Sequence, residues 1–441
     1  MYIQNMLQSI VLDWCTHQHI TLAGKTILCA VSGGQDSMAL LHVLLDLGKD
    51  EGFAVAVAHY NHQLRETATQ DEALVRHRCA MLGIPFFTDS GDVRGYAKAH
   101  GTSIEDSART MRYAFLQRTA QECGADYIAT AHHRQDNAET LLLHLLRGSG
   151  LHGLGGITPV RGNIIRPLLQ ADRADIERYI AEHNIPYAED ESNVDTIYTR
   201  NRLRWEVLPL LEKIASGSVG RMADTAQRLR TDEAFFQQYC AELLSGNNTT
   251  ELPLVVVQKQ HPAIASRLVR MVAQRCGVTL TATQTEAVLT LRRGACLSLH
   301  GGLRVAHEGT VLRFFRPYET DVPLALTIGE QDWGAWRVKV WETCEDVAQN
   351  AYTVMLRGGL HTIELTAWDG TGRLGVENGR RTIKRLLADH GIPPAQRENC
   401  PAIYVDGVLA AVFGAGTDIA FRPVSGEKQL VIMLTPTNLP L

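Results

Sequence analysis

The first 150 residues alternate short apolar runs with longer segments of helical periodicity. Four apolar runs predict buried strands, at residues 26–31, 53–59, 84–88 and 127–131. The segments that follow them predict helices, at residues 36–47, 70–81, 105–123 and 136–146. Because strands that alternate with helices need crossover connections, this pattern predicts an α/β domain with a doubly wound parallel sheet. In such sheets, ligands bind at the carboxyl ends of the strands.

Helical periodicity also extends to both sides of this region. Six apolar residues share one helical face and predict a docked helix near the start: Ile3, Met6, Leu7, Ile10, Val11 and Trp14. Residues 172–245 are largely helical, residues 251–315 mix helices with short strands, and residues 351–437 predict a small α+β domain. We therefore expect four segments: an N-terminal α/β domain at 1–215, a helix-rich middle domain at 216–315, a connector at 316–350 and a C-terminal domain at 351–441.

Composition and charge narrow the class of protein. Of the 441 residues, 45 % are hydrophobic and 21 % are charged, which excludes disordered and collagen-like chains. No apolar run approaches the roughly 18 residues of a membrane helix, and the first basic residue is Lys25. Nine cysteines without a C-x-x-C pair favour a reduced chain. We expect a cytoplasmic protein without a membrane partner. Because the net charge is −5, we expect any basic surface to be confined to local patches.

The strongest local pattern is the segment 32–37, which lies between the first strand and the next helix. Its two glycines let a phosphate approach the backbone, and the helix start and the hydroxyls of Ser32 and Ser37 favour an anion. Asp36 would repel phosphates unless a cation intervened, so it predicts Mg²⁺. The segment has neither the Walker lysine nor G-x-G-x-x-G spacing. The alternative is a Ser/Gly turn in which Asp36 caps the helix.

Polar residues also follow two further strands: Asn61 and Arg65 after the second, and His132, Asp136 and Glu139 after the fourth. Asp136 and Glu139 are three residues apart and share a helix face, where they could hold an ammonium group or a metal. Solvated acids at a helix start are the alternative. His132 and His133 point to different sides and have no cysteine nearby, so we expect no catalytic zinc. We expect His132 to donate to a charged group or to be structural.

Arginines form two clusters. Arg109 and Arg112 share a helix face, where an arginine could stabilise developing negative charge. Pairing of Arg109 with Glu105 is the alternative. Further arginines lie at 200, 202 and 204, where a solvated helix face is the alternative.

Together these residues resemble the bacterial tRNA(Ile)-lysidine synthetase family, whose members have the PP-loop fold of N-type ATP pyrophosphatases (adenine nucleotide alpha hydrolase-like). The resemblance spans the whole chain. Besides the loop, it rests on Asn61-His62-x-Leu64-Arg65, Asp71-Glu72, Glu105-x-x-Ala108-Arg109-x-x-Arg112-Tyr113, Thr130-Ala131-His132-His133, Ala138-Glu139-Thr140, Arg166-Pro167-Leu168, Asp190-x-Ser192-Asn193-x-Asp195, Arg200-Asn201-Arg202-x-Arg204, Leu208-Pro209, Lys384, Ile392-Pro393, Arg397 and Pro401.

Two positions depart from the family pattern. Gln135 stands where the family often has an acid, so only Asp136 is kept there. Gln63 stands where the family often has glycine, which suggests that the backbone needs no positive φ at Gln63.

The resemblance implies ATP-dependent ligation of free L-lysine to C2 of the wobble cytidine in the CAU anticodon of tRNA(Ile). The C2 oxygen attacks the α-phosphate of ATP and releases pyrophosphate, and the lysine amine then displaces AMP. The product, lysidine, changes codon specificity from AUG to AUA.

The resemblance and the charge pattern also imply roles for individual residues. ATP binding involves Ser32, Gly33, Gly34, Gln35, Asp36, Ser37, Asn61 and Arg65, with Mg²⁺ on Asp36. The catalytic residues are Asp36, Arg112, His132, Asp136 and Glu139, and the last two bind lysine. The tRNA-binding residues are Arg200, Arg202, Arg204, Arg380, Arg381, Lys384, Arg385 and Arg397.

Two alternative functions stay open. Another tRNA-modifying or amidating enzyme of the same fold would need cysteine pairs or a nucleophilic cysteine domain, which the sequence does not show. A non-catalytic tRNA-binding protein is the other alternative, although the intact acids and Arg112 argue against it. The sequence does not decide between a monomer and a homodimer.

Overall fold

A computed structural model describes residues 6–63, 68–188, 199–246, 249–316, 322–345, 347–348, 350–359, 362–397, 400–424 and 426–437. The chain divides into two units, Met1–Phe235 and Phe236–Leu441. No helix in these described ranges is long and apolar enough to cross a bilayer.

A six-stranded sheet forms the centre of the first unit. Its strands are β1 (Thr26–Ala30), β2 (Ala54–Asn61), β3 (Phe86–Ser90), β4 (Tyr127–Ala129), β5 (Val160–Arg161) and β6 (Ile164–Ile165). They lie in the order β3-β2-β1-β4-β6-β5, in which all neighbours are parallel except β5 and β6. The predicted parallel sheet is therefore confirmed, with an antiparallel strand added at one edge.

Helices cover both faces of this sheet. The helices that begin in this unit are α1 (Met6–His17), α2 (Gln35–Glu51), α3 (Ala68–Leu82), α4 (Val93–His100), α5 (Ile104–Glu122), α6 (Arg134–Leu146), α7 (Leu151–Leu154), α8 (Arg173–Glu182), α9 (Thr199–Arg202), α10 (Leu208–Ile214) and α11 (Ser218–Leu243), of which α11 continues past Phe235. Between α9 and α10, Leu203–Val207 form a π-helical turn.

Two cores lie on opposite faces of the sheet. One joins α1, α2 and α8 to Ile27 and Cys29 of β1, and the other joins α5 to Leu28 of the same strand. Alternate residues of β1 thus enter different cores, which is why the strand is apolar throughout. In α1, Leu7, Val11 and Trp14 are buried, as their helical spacing predicts.

In the described part of the second unit, the α-helices that begin there combine with antiparallel sheets. The helices are α12 (Leu254–Gln258), α13 (Pro262–Arg275), α14 (Ala282–Leu289), α15 (Ile383–Asp389) and α16 (Pro394–Arg397). The strands are β7 (Glu251–Pro253), β8 (Cys296–Ser298), β9 (Arg304–His307), β10 (Val311–Phe315), β11 (Leu324–Ala325), β12 (Gly329–Trp333), β13 (Trp336–Thr343), β14 (Thr353–Arg357), β15 (Ile363–Ala367), β16 (Arg373–Val376), β17 (Gly379–Thr382), β18 (Pro401–Val405), β19 (Val408–Val412), β20 (Gly416–Thr417) and β21 (Gln429–Pro436).

The fold class agrees with the sequence prediction. Helices α12 to α14 share a core with the sheet β7-β10-β9-β8 and form the helix-rich middle region. The remaining strands and α15 form the C-terminal α+β region, which has two cores of its own.

The stretch 316–350, for which the sequence predicts a connector, contains strands of the C-terminal region. β13 pairs with β12 on one side and, along its whole length, with β21 on the other. Trp333, Val338 and Val340 are buried in the same core as Ile432. Polar residues alternate with these apolar ones as in a strand, whereas the acidic residues of the stretch are what favoured a connector in the sequence. The division of the chain into four segments stays a prediction.

Candidate active site

The segment 32–37 forms a tight turn between β1 and α2. Gly33 has a φ of +96°, which favours glycine. The Ser37 hydroxyl accepts a hydrogen bond from the Ser32 N–H (3.1 Å) and donates one to the Gly34 carbonyl oxygen (2.8 Å). Gly34 precedes α2 and has no side chain to cap it, so Asp36 is not the cap that the alternative interpretation expects. The first N–H groups of α2 are thus suited to an anion.

Asn61, at the end of β2, forms hydrogen bonds that fix the chain next to the loop at this edge of the sheet. Its Nδ2 donates to Glu72 Oε2 (3.2 Å), and its Oδ1 accepts from the N–H of Gln63 (3.0 Å). Gln63 has a φ of +51°, so the expectation that no positive φ is needed there is wrong. The side-chain turn made by Asn61 holds the backbone in this conformation without glycine. Arg65 and the segment 190–195 lie outside the described residues.

His133 links the loop to the start of α6. Its Nε2 lies 3.6 Å from Asp36 Oδ2 and 3.5 Å from Asp136 Oδ2. Its Nδ1 accepts a hydrogen bond from the N–H of Gln135 (3.2 Å), which places the proton of a neutral ring on Nε2, between the two carboxylates. Burial lowers the pKa of His133, but Asp136 and Asp36 outweigh this and raise the pKa above its ordinary value. The sequence prediction missed His133 as a site residue.

Asp136 and Glu139 contact the arginines that follow the undescribed segment 189–198. Arg204 Nε donates to Glu139 Oε1 (2.6 Å), and its Nη2 donates to Asp136 Oδ1 (2.7 Å). Arg200 Nε donates to Glu139 Oε2 (3.1 Å), and its Nη2 donates to Asp136 Oδ1 (3.4 Å). Residues for which the sequence predicts lysine and tRNA binding thus bind one another.

The electrostatics of this cluster follow from its burial. Glu139 is fully buried, and Asp136 is 8 % exposed. Burial raises the pKa of Asp136, but the neighbouring histidines, Arg204 and Arg200 outweigh this and hold the pKa well below its usual range. Arg202 points elsewhere: it pairs with Glu206 (3.3 Å), and its side chain is 63 % exposed.

His132 and Arg112 lie in a second group at the same edge of the sheet. His132 Nδ1 lies 3.0 Å from Thr130 Oγ1. Burial, opposed by Asp136 and helped by Arg166 and Arg112, lowers the pKa of His132 to about 3. The ring is therefore neutral near pH 7. The prediction did not assign a role to Arg166, because β6, which it follows, is too short to be recognised in the sequence.

The basic cluster of the second unit is on the surface. Arg380 and Arg381 on β17, and Lys384 and Arg385 on α15, are exposed. Arg381 lies 3.6 Å from Asp389. Arg397 differs, because its Nε donates to the carbonyl oxygen of Ile392 (2.7 Å).

Two known domain families match separate parts of the chain. The PP-loop domain family matches residues 5–211, and the TilS substrate C-terminal domain family matches residues 365–434. A tRNA(Ile)-lysidine synthase of Petrotoga mobilis is 45 % identical over 188 residues, which cover 43 % of this chain and 60 % of that protein. The enzyme of the same name from Dehalococcoides mccartyi is 36 % identical over 284 residues, which cover 61 % of this chain and 60 % of that protein.

A third relative aligns along nearly the whole chain. A tRNA(Ile)-lysidine synthase of Symbiobacterium thermophilum is 31 % identical over 452 residues, which cover 92 % of this chain and 93 % of that protein. By contrast, the matches to the first two relatives span only 60 % of those proteins.

Proposed function

The chain belongs to the tRNA(Ile)-lysidine synthase family, and we therefore propose that it ligates free L-lysine to C2 of the wobble cytidine in the CAU anticodon of tRNA(Ile), with ATP as the activating substrate. The observation that carries this proposal is the 31 % identity over 92 % of the chain. The site supports it, because an anion-binding loop and two buried carboxylates lie at one edge of the sheet.

The first step is adenylation of the cytidine. The C2 oxygen attacks the α-phosphate of ATP, and the bond to pyrophosphate breaks. The N–H groups at the start of α2, together with the hydroxyls of Ser32 and Ser37, hold the pyrophosphate portion. Neutral His132 donates to an α-phosphate oxygen, and Arg112 stabilises the adenylated cytidine.

Asp36 fits a magnesium ion shared with the phosphates. Its side chain is 41 % exposed, although it faces His133 on one side. In the described part of the chain, no three His, Cys, Asp or Glu side chains are grouped to hold a metal. Mg²⁺ often takes only one or two carboxylates and completes its shell with phosphate oxygens and waters. Asp36 would hold the ion, which would offset negative charge on the phosphates.

The second step needs lysine beside the adenylated cytidine. Its amine attacks C2, AMP leaves with the C2 oxygen, and the nitrogen loses a proton. Asp136 and Glu139 receive an ammonium group of lysine, which must replace an arginine because both carboxylates are already paired. Arg200 is the one to move, because its contacts are longer than those of Arg204 and its side chain is more exposed, 30 % against 20 %.

The tRNA binds through local basic surfaces. The exposed cluster at 380–385 contacts phosphates, and Arg202 adds a separate exposed cation. Such patches reconcile tRNA binding with the net charge of −5.

The direct test is transfer of radiolabelled lysine. Purified protein, ATP and Mg²⁺ are mixed with a tRNA(Ile) transcript bearing CAU, and a methionine tRNA with the same anticodon is the control. We expect label only in the isoleucine transcript, with one pyrophosphate released per lysine. Pyrophosphate release without label would contradict lysine as the amine. No turnover of ATP would favour a binding protein.

Replacement of Asp36 tests the loop assignment. We expect Asp36→Ala to lower tRNA-dependent pyrophosphate release by at least about a hundredfold, because charge stabilisation of the phosphates is lost. Asp50→Ala is the matched control, since Asp50 is exposed near the other end of α2. Full activity of the Asp36 variant would contradict the assignment.

A further inference from the structure

Three arginines surround Tyr113 of α5 without balancing acids. The guanidinium carbons of Arg109 and Arg112 lie 5.0 Å and 5.3 Å from the centre of the Tyr113 ring. Arg166 lies beside the Tyr113 hydroxyl and is only 3 % exposed. Within the ranges that the structure describes, no carboxylate oxygen lies within 4.0 Å of a guanidinium nitrogen of these three arginines. Their charge is therefore unmatched, in contrast to that of Arg200 and Arg204.

One buried donor of this group reaches no partner in the part of the chain that the structure describes. Arg166 Nε is buried without a hydrogen-bond partner in good geometry, while the Tyr113 hydroxyl faces the side chains of Arg112 and Arg166. Arg166 is nevertheless fixed in place, because its Nη1 donates to the Thr158 carbonyl oxygen and its backbone N–H donates to that of Pro159. Buried polar groups are nearly always satisfied in folded proteins, so a buried guanidinium with a donor left over indicates a ligand.

The titration of Tyr113 agrees with an excess of positive charge. Burial raises the pKa of its phenol, but Arg112, Arg109 and Arg166 outweigh this and lower the pKa below its ordinary value. Burial lowers the pKa of Arg112, and Arg109 lowers it further. An anion bound among these groups would stabilise the charged form of all three arginines.

The position of the group in the sheet separates it from the loop. Arg166 follows β6, His132 follows the parallel neighbour β4, and Ser32 follows β1 one strand further on. Two strand spacings make about 10 Å between the end of β1 and the end of β6. The pyrophosphate portion of ATP lies at the first of these ends in the proposed function. An anion at the second end is therefore not the pyrophosphate portion of ATP.

We propose that Arg109, Arg112, Arg166 and Tyr113 form a binding site for one phosphate group, and that this group is a phosphodiester of the RNA strand that carries the target base. The guanidinium groups pair with its oxygens, and the Tyr113 hydroxyl donates to it. The site fixes the backbone beside the base, while His132 lies on the side of the loop. This inference rests on the proposed function, because it takes RNA as the substrate.

The experiment measures two affinities for Arg166→Gln. One is for the tRNA(Ile) transcript without ATP and lysine, between 50 and 200 mM KCl, and the other is for ATP without RNA. Arg178→Gln is the matched control, because Arg178 is exposed on α8 and pairs with Asp175 (3.6 Å). We expect the Kd for RNA to rise about tenfold and the salt slope to fall by about 0.7 in Arg166→Gln only. The Kd for ATP is expected to stay within about twofold.

Other results overturn the assignment. A loss of ATP affinity with unchanged RNA affinity would assign the site to a phosphate of ATP instead. Unchanged affinity for both ligands would show that the group binds no phosphate. Neither assay needs lysine transfer, so failure of the lysine assay and failure of this phosphate assignment are distinguishable.

A second variant covers the case in which Arg166→Gln does not fold. Arg109 is exposed, so Arg109→Gln removes a charge from the same group without opening the core. We expect a rise of about threefold or more in the Kd for RNA and a shallower salt slope. An Arg109 variant with the RNA affinity and salt slope of the unmodified protein would overturn the proposal.

Discussion

At the scale of single residues, Arg204 and Arg202 differ in what they touch although they are two positions apart. Arg204 holds the fully buried Glu139, whereas Arg202 meets the exposed Glu206. We expect Arg204→Ala to lower the free energy of unfolding by about 3 kcal/mol, because it leaves a buried carboxylate with one partner fewer. Arg202→Ala should change it by less than about 0.5 kcal/mol. Urea unfolding of both variants would measure this, and equal losses would contradict the burial argument.

His132 sets a pH dependence of stability. Its pKa is about 3 in the folded protein and about 6.5 in an unfolded chain, so between these values only the unfolded chain binds the proton. Stability is therefore present above about pH 6.5 and is lost as the pH falls, by up to about 1.4 kcal/mol per pH unit.

Replacement of the ring tests this dependence. We expect His132→Gln to flatten the acid side of the stability profile, measured by urea unfolding between pH 7 and pH 4. His132→Gln with an unchanged acid slope would show that the ring is not held neutral. The neighbouring His133 acts with the opposite sign, because its pKa is raised and its stabilisation is lost as the pH rises above about 6.5.

Local motifs predicted part of the candidate site, and long-range contacts account for the rest. The loop at 32–37 is recognisable because its residues are consecutive. The contact of Arg204 with Glu139 spans 65 residues and cannot be read from either segment. The positive φ of Gln63 was also missed, because it depends on the side chain of Asn61.

At the scale of elements, apolar runs located β1 to β4 and missed the shortest strands of the same sheet. β1 and the middle of β2 are apolar because both faces are covered. β5 and β6 have only two residues each, too few to show a period. β13 alternates buried with exposed residues, and the acids around it made the stretch resemble a connector.

β13 provides a test of its structural role. Val338 is fully buried between β12 and β21, whereas Lys339 is exposed on the other face. We expect Val338→Ala to lower the free energy of unfolding by roughly 2 kcal/mol, because it leaves a cavity in the core. Lys339→Ala should leave it nearly unchanged. Similar values for the two variants in chemical denaturation would mean that this segment does not stabilise the C-terminal region.

At the scale of the whole molecule, a negative net charge coexists with a local basic surface. The four cations at 380, 381, 384 and 385 are exposed, and no carboxylate faces any of them within 4.0 Å in the described chain except Asp389, which meets Arg381. If they bind phosphates, each contact adds about 0.9 to the slope of log affinity against log salt.

Removal of this charge tests tRNA binding by the second unit. We expect replacement of all four residues by glutamine to reduce the salt slope by about 2 to 4 and to weaken tRNA binding. The control replaces Arg337 and Lys339, which are exposed on β13 and already paired with acids. Binding curves at several salt concentrations would give the slope. If the fourfold variant and the unmodified protein had the same salt slope, the cluster would not be part of the tRNA interface.

The pairing of two acids on α6 with two distant arginines also limits which substitutions this sequence can accumulate during evolution. A neutral substitution at Glu139 alone leaves two guanidinium groups to share Asp136, and one at Arg204 alone leaves a buried carboxylate short of a partner. Each single change is harmful, whereas a change on both sides removes the mismatch. The positions are therefore epistatic. An evolutionary path away from this arrangement must cross a less fit intermediate, and this barrier protects the arrangement independently of catalysis.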